Sequence, residues 1–136
     1  MTVHTWQPGM FERPCGGCTM CCKLPAAPAP LNKPAGEWCR HCDKGEGCRI
    51  YDERPAGCRD FYCLWKVMPE FPEELRPDRC KVIWQMTEDA RTAVAATEYA
   101  EALDAKAQKT LIQKLLRSGI SVALSSRRSA KTAEVQ

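Results

Sequence analysis

At 136 residues, with 27% charged side chains and a formal net charge of +3, the chain has room for one domain and a small appendage, and it is too weakly basic to suggest a nucleic-acid footprint. The 44% hydrophobic fraction counts ten cysteines, so the ordinary apolar content is lower than that figure. The first half, poor in Leu, Ile and Val, cannot bury a sizeable core alone, and a small module of that kind needs disulfide or metal staples.

Residues 1–14 read as irregular, broken by Pro8, Gly9 and Pro14, with Trp6, Met10 and Phe11 expected as apolar cover and His4 as an exposed bystander. This stretch lacks the basic and apolar regions of a secretory signal, and no apolar run approaches membrane-spanning length. Disulfide staples require an oxidising compartment, so a cytoplasmic, reduced, metal-bound protein without a membrane partner is the expectation.

The run Cys15-Gly-Gly-Cys18-Thr-Met-Cys21-Cys22 follows. Thiols two residues apart lie on a turn that folds back and presents several soft ligands together. Gly16 and Gly17 allow positive φ and can aim backbone N–H groups at sulfur. Neighbours in a chain project side chains in different directions, so Cys21 and Cys22 are expected to serve different metal atoms, or one of them to bridge or stand spare. More than one metal atom is implied. A proline-stiffened connector, 23–36, leads to Cys39, Cys42 and Cys48, and then to Cys58 and Cys63. All the cysteines except Cys80 thus fall within 15–63.

Metal-ligand candidates are Cys15, Cys18, Cys21, Cys22, Cys39, Cys42, Cys48, Cys58 and Cys63. His41 is a substitute ligand or a hydrogen-bond donor to sulfur, and Cys80 is read as a buried free thiol. Thiolate sites carry negative charge, so Arg54 and Arg59, flanking Cys58, are candidates to neutralise it; Tyr51, Phe61 and Trp65 are candidates for a water-excluding shell. The run lacks the spacing and following proline of ferredoxin-type clusters. Closed four-cysteine sites are the commoner use of paired thiols, which places zinc ahead of an iron–sulfur cluster and leaves both open. No nucleophile triad and no phosphate-binding glycine loop is present, so catalysis has no named residue.

Cys15/Cys18/Cys21/Cys22, Cys48-Arg-Ile50-Tyr51, Arg54-Pro55-Ala-Gly-Cys58-Arg59 and Phe61-Tyr-Cys63 together resemble the signature of the CxxCxxCC family of zinc- or iron-chelating domains, over residues 14–66. The resemblance implies a chelating activity rather than a defined reaction. A flagellin lysine N-methylase is similar in this cysteine pattern and implies an iron–sulfur cluster, but nothing here matches a methyl-donor pocket. The functions considered are therefore a non-catalytic metal-binding protein, an iron–sulfur enzyme of redox or methyl-transfer type, and a structural metal fold that meets a protein partner.

Beyond residue 66, Pro69, Pro72 and Pro77 leave room for one short helical turn near 72–75. Residues 81–86 and 92–97 read as strands joined by a hairpin loop at 87–91. Asp104 is placed to cap a helix through Ser118, with Leu111, Ile112, Leu115 and Leu116 on one face and Gly119 as its stop; residues 120–124 form a last strand. The expected fold is α+β: a cysteine-rich, loop-dominated metal-binding region over 1–66, a β-β-α-β unit over 67–126 packed with it, and a disordered basic tail over 127–136.

Overall fold

The computed structural model describes residues 10–25, 31–54, 58, 62–87, 89–126 and 129–134, and of 126 and 129–134 the backbone alone. The protein is α+β. β1 (Cys42–Asp43) and β2 (Gly47–Cys48) form a miniature antiparallel hairpin. The short helices α1 (Leu64–Val67) and α2 (Pro77–Cys80) flank a 3-10 turn, Glu73–Leu75, where the proline spacing leaves room for one. A four-stranded sheet follows in the order β3-β4-β5-β6, formed by Val82–Met86, Thr92–Thr97, Ser121–Ser126 and Ser129–Glu134. β3 and β4 are antiparallel, β4 and β5 parallel, and β5 and β6 antiparallel. The parallel pair needs a crossover, and α3 (Lys106–Arg117) lies in it.

Strand alternation sorts the side chains. Val82, Trp84 and Met86 of β3 join Ala93, Ala95 and Val122 on one face, where Leu111 and Leu115 of α3, Leu64 and Trp65 of α1, and Phe71 and Leu75 complete the main core. Leu64 and Trp65 thus pack with the second unit, although the sequence reading leaves them with the first. Ile83 points to the opposite face and packs with Met20 and Leu24, against which Cys18, Cys63, Trp38 and Ala96 also rest. The sheet is therefore the wall between the main core and the cysteine-rich loops.

Three expectations change here. Asp104 ends a 3-10 turn, Ala100–Asp104, and the N-cap of α3 is Ala105, which makes no side-chain capping bond. Leu116 is exposed, and the buried place on that face of α3 belongs to Gln108, whose Oε1 accepts a 2.9 Å bond from the Trp84 indole. Ser129–Glu134, expected within a disordered tail, pairs with β5 as a fourth strand. Gly119 does stop the helix, at φ +81°, with its N–H donating to the Leu116 carbonyl at 3.0 Å.

Arg13 fastens the segment entering the first cysteine run to this core. Its guanidinium stacks over Trp65 at 4.6 Å and donates to the carbonyls of Met68 at 2.7 Å and Phe71 at 3.1 Å. Arg13→Ala should lower unfolding free energy by ~2 kcal/mol, since two carbonyls and a ring face lose their partner. Equilibrium denaturation would measure this, and a change within error would mean that the segment is held elsewhere.

Candidate metal centre

The first cysteine run is bent by local backbone bonds. The Cys18 N–H donates to the Cys15 carbonyl at 3.1 Å, and a 3-10 turn, Met20–Cys22, follows. Gly16 adopts φ +61°, as the turn requires. Gly17 serves differently: a Cβ there would lie 2.9 Å from the Gly45 carbonyl oxygen, so only glycine permits the hairpin turn to approach. The Gly45 N–H in turn donates to Thr19 Oγ1 at 3.0 Å.

The remaining cysteines come back to this run along the backbone. The Cys39 N–H donates to the Cys22 carbonyl at 2.8 Å and the Cys42 N–H to the Cys39 carbonyl at 3.1 Å. Cys42 then faces Cys48 across the β1–β2 pair. Cys63 immediately precedes α1 and rests beside Cys18 on the Met20–Leu24–Ile83 cluster. All ten cysteines are free thiols.

Cys21 and Cys22, adjacent in the Met20–Cys22 turn, act on each other: their interaction draws the Cys21 thiol below its ordinary range and drives that of Cys22 above it. Cys42 also acts on the Cys22 thiol. Burial pushes Cys63 up to about 12 and is the leading cause of the upward shifts of Cys18 and Cys58. Among the described residues, no three Cys, His, Asp or Glu side chains stand close enough to hold one metal ion as they are. The donor chemistry suits a soft metal, since neighbouring reduced thiols are what zinc and iron–sulfur clusters take. Coordination distance is not preformed.

Several expected neighbours lie elsewhere. Tyr51 is 55% exposed and stacks on Arg54 at 3.8 Å, so it shields nothing; Met10 and Phe11 are exposed as well. Trp65 belongs to the main core. His41 reaches Cys39 through its backbone N–H, at 3.5 Å from Sγ. Arg54 carries a charge felt by both Cys58 and Cys21, as its position before Cys58 suggests. Trp6, His4, Arg59 and Phe61 lie outside the described residues. Cys80 packs against the main core and donates to the carbonyls of Leu75 and Val82, both at 3.4 Å.

Three cations carry no signal in the sequence. Lys33 is buried, with Nζ donating to the carbonyls of Lys23, Pro34 and Glu37 at 2.9, 3.0 and 2.8 Å, which folds the end of the proline-rich connector back toward Cys22 and Cys39. Lys66 pairs with Glu12 at 3.1 Å; burial opposes its charge, but Cys15 and Glu12 more than offset it and hold the ammonium above its ordinary range. Arg76, paired with Asp78 through a 2.6 Å bond, extends over Gly16 and Gly17. That guanidinium holds the Asp78 carboxyl below the usual range.

Among the described residues no helix is long and apolar enough to cross a membrane. No family model matches the chain, and neither the curated proteins nor the solved structures give a significant match.

Proposed function

We propose that the protein is a metal-binding module, chelating zinc or an iron–sulfur cluster through the thiols of residues 15–63, in keeping with its resemblance to the CxxCxxCC domains. The observation that carries this reading is the return of two separated chain segments, 39–48 and the one at Cys63, to the first cysteine run, with every cysteine a free thiol. Free thiols beside Lys33, Lys66 and Arg76 form a soft-donor environment with cations at hand to balance thiolate charge. The metal, when bound, supplies cross-links that the weak first-half core does not. The protein's own contribution is to hold the turns and exclude water on the Met20–Leu24–Ile83 side. Since the sulfurs are not at coordination distance, loading requires them to close, and metal affinity and local folding are then one equilibrium.

Metal analysis and a visible spectrum of anaerobically purified protein test this. Cys21→Ser should lower the metal content and Cys80→Ser should leave it unchanged, because Cys80 is committed to the main core. Metal-free protein with oxidised thiols would overturn the reading. Brown colour with iron and sulfide would select the cluster, and a colourless zinc protein the structural ion.

A further inference from the structure

We infer that the thiols form two metal sites of four cysteines each that abut at Cys21 and Cys22, an inference that rests on the metal-binding reading above. The first comprises Cys15, Cys18, Cys21 and Cys63. The second comprises Cys22, Cys39, Cys42 and Cys48, with Cys58 as an extra thiol at its margin.

The backbone makes the division. Cys15 and Cys18 share one hydrogen-bonded turn, and Cys18 and Cys63 rest on the same apolar cluster against the sheet. Cys15, Cys18 and Cys21 are all near enough to Cys63 for their charge to act on its thiol. The second set hangs on a different frame. Cys39 is bonded to the Cys22 carbonyl, Cys42 to the Cys39 carbonyl, and Cys42 faces Cys48 across two strands, a position that puts their side chains on one face within ~5 Å at Cβ. The two frames meet where the Gly45 carbonyl approaches Gly17 and the Gly45 N–H bonds Thr19.

Charge placement divides in the same way. A site of four thiolates around a divalent ion carries excess negative charge, and each set has a cation that feels it: Lys66, acted on by Cys15, in the first, and buried Lys33, acted on by Cys39 and Cys22, in the second. The adjacent Cys21 and Cys22 thus separate two centres that touch. Either can fill alone, because the turns that must close on each metal belong to different segments.

Zinc titration of the full-length, reduced, metal-free protein tests the division, with bound equivalents counted against a chromophoric chelator. Wild type should take two equivalents. The double variant Cys15→Ser/Cys18→Ser should take one, and Cys39→Ser/Cys42→Ser should also take one. Near-ultraviolet circular dichroism reports whether the Trp84 core is intact; the second variant, remote from that core, decides the matter if the first does not fold. Loss of all tight binding in the second variant, with two equivalents or one in wild type, would overturn the division and leave the metal-binding reading standing. Failure of wild type to bind zinc would overturn both.

Discussion

Trp84→Ala should remove ~3–5 kcal/mol of unfolding free energy, the largest loss expected from any single side chain of the protein. Trp84 heads the fully buried side chains by volume and is 2% exposed, at the centre of β3 with Ala95 opposite it on β4. Truncation opens a cavity between the sheet and α3. It also takes away the indole N–H that satisfies Gln108 Oε1, leaving a fully buried amide with neither end bonded among the described residues. Urea denaturation followed by far-ultraviolet circular dichroism measures the effect independently of the lost fluorophore. Leu116→Ala, on the exposed face of the same helix, should change stability by less than ~0.5 kcal/mol. Equal effects from the two variants would mean that the core has been placed on the wrong face.

Zinc affinity should rise steeply with pH near neutrality, with Cys18 and Cys63 alone contributing ~100-fold per unit to a site that uses both. Metal binds thiolate, and burial keeps both of these thiols protonated in the metal-free protein, with Cys63 held up to about 12. Each ligated thiol then releases one proton, and each proton contributes a factor of ten per pH unit. Competition against a chelator between about pH 6 and 8 measures the slope, and Cys63→Ser should reduce it by about one proton. A flat profile would remove buried thiols from the ligand set. The same shift has a second consequence with a definite sign. In metal-free protein the Cys63 contribution to stability is fully present below the ordinary thiol value of 9.0 and is lost as pH rises toward about 12, because ionisation is easier in the unfolded chain.

Strands β3 to β5 and the helix between them were legible from the sequence because each is written in local chemistry. Apolar alternation places β3 at 82–86 within one residue of the expected 81–86, and the threonines and alanines of 92–97 coincide with β4. Leu111 and Leu115, four apart, mark the buried stripe of α3, and Gly119 marks its end.

Only the tertiary structure decided what surrounds those donors. β6 contains Ser, Ala, Lys, Thr and Glu with no apolar alternation, so its signal is supplied by the free backbone edge of β5 rather than by its own side chains. Lys33 is solvated by carbonyls from three residues of a folded-back loop, and a lysine in a proline-rich run gives no hint of such burial. Arg76 and Asp78 reach the Cys15–Cys18 turn from beyond residue 70, and no spacing rule connects positions so far apart. The 3-10 turn that carries Cys21 and Cys22 gives no signal in the cysteine spacing. The sequence by itself determined which atoms can bind and where regular structure begins, since composition and periodicity are properties of neighbours. Which of those atoms stand together, and which charges balance them, depends on contacts between distant segments, and these exist only once the chain has closed on itself.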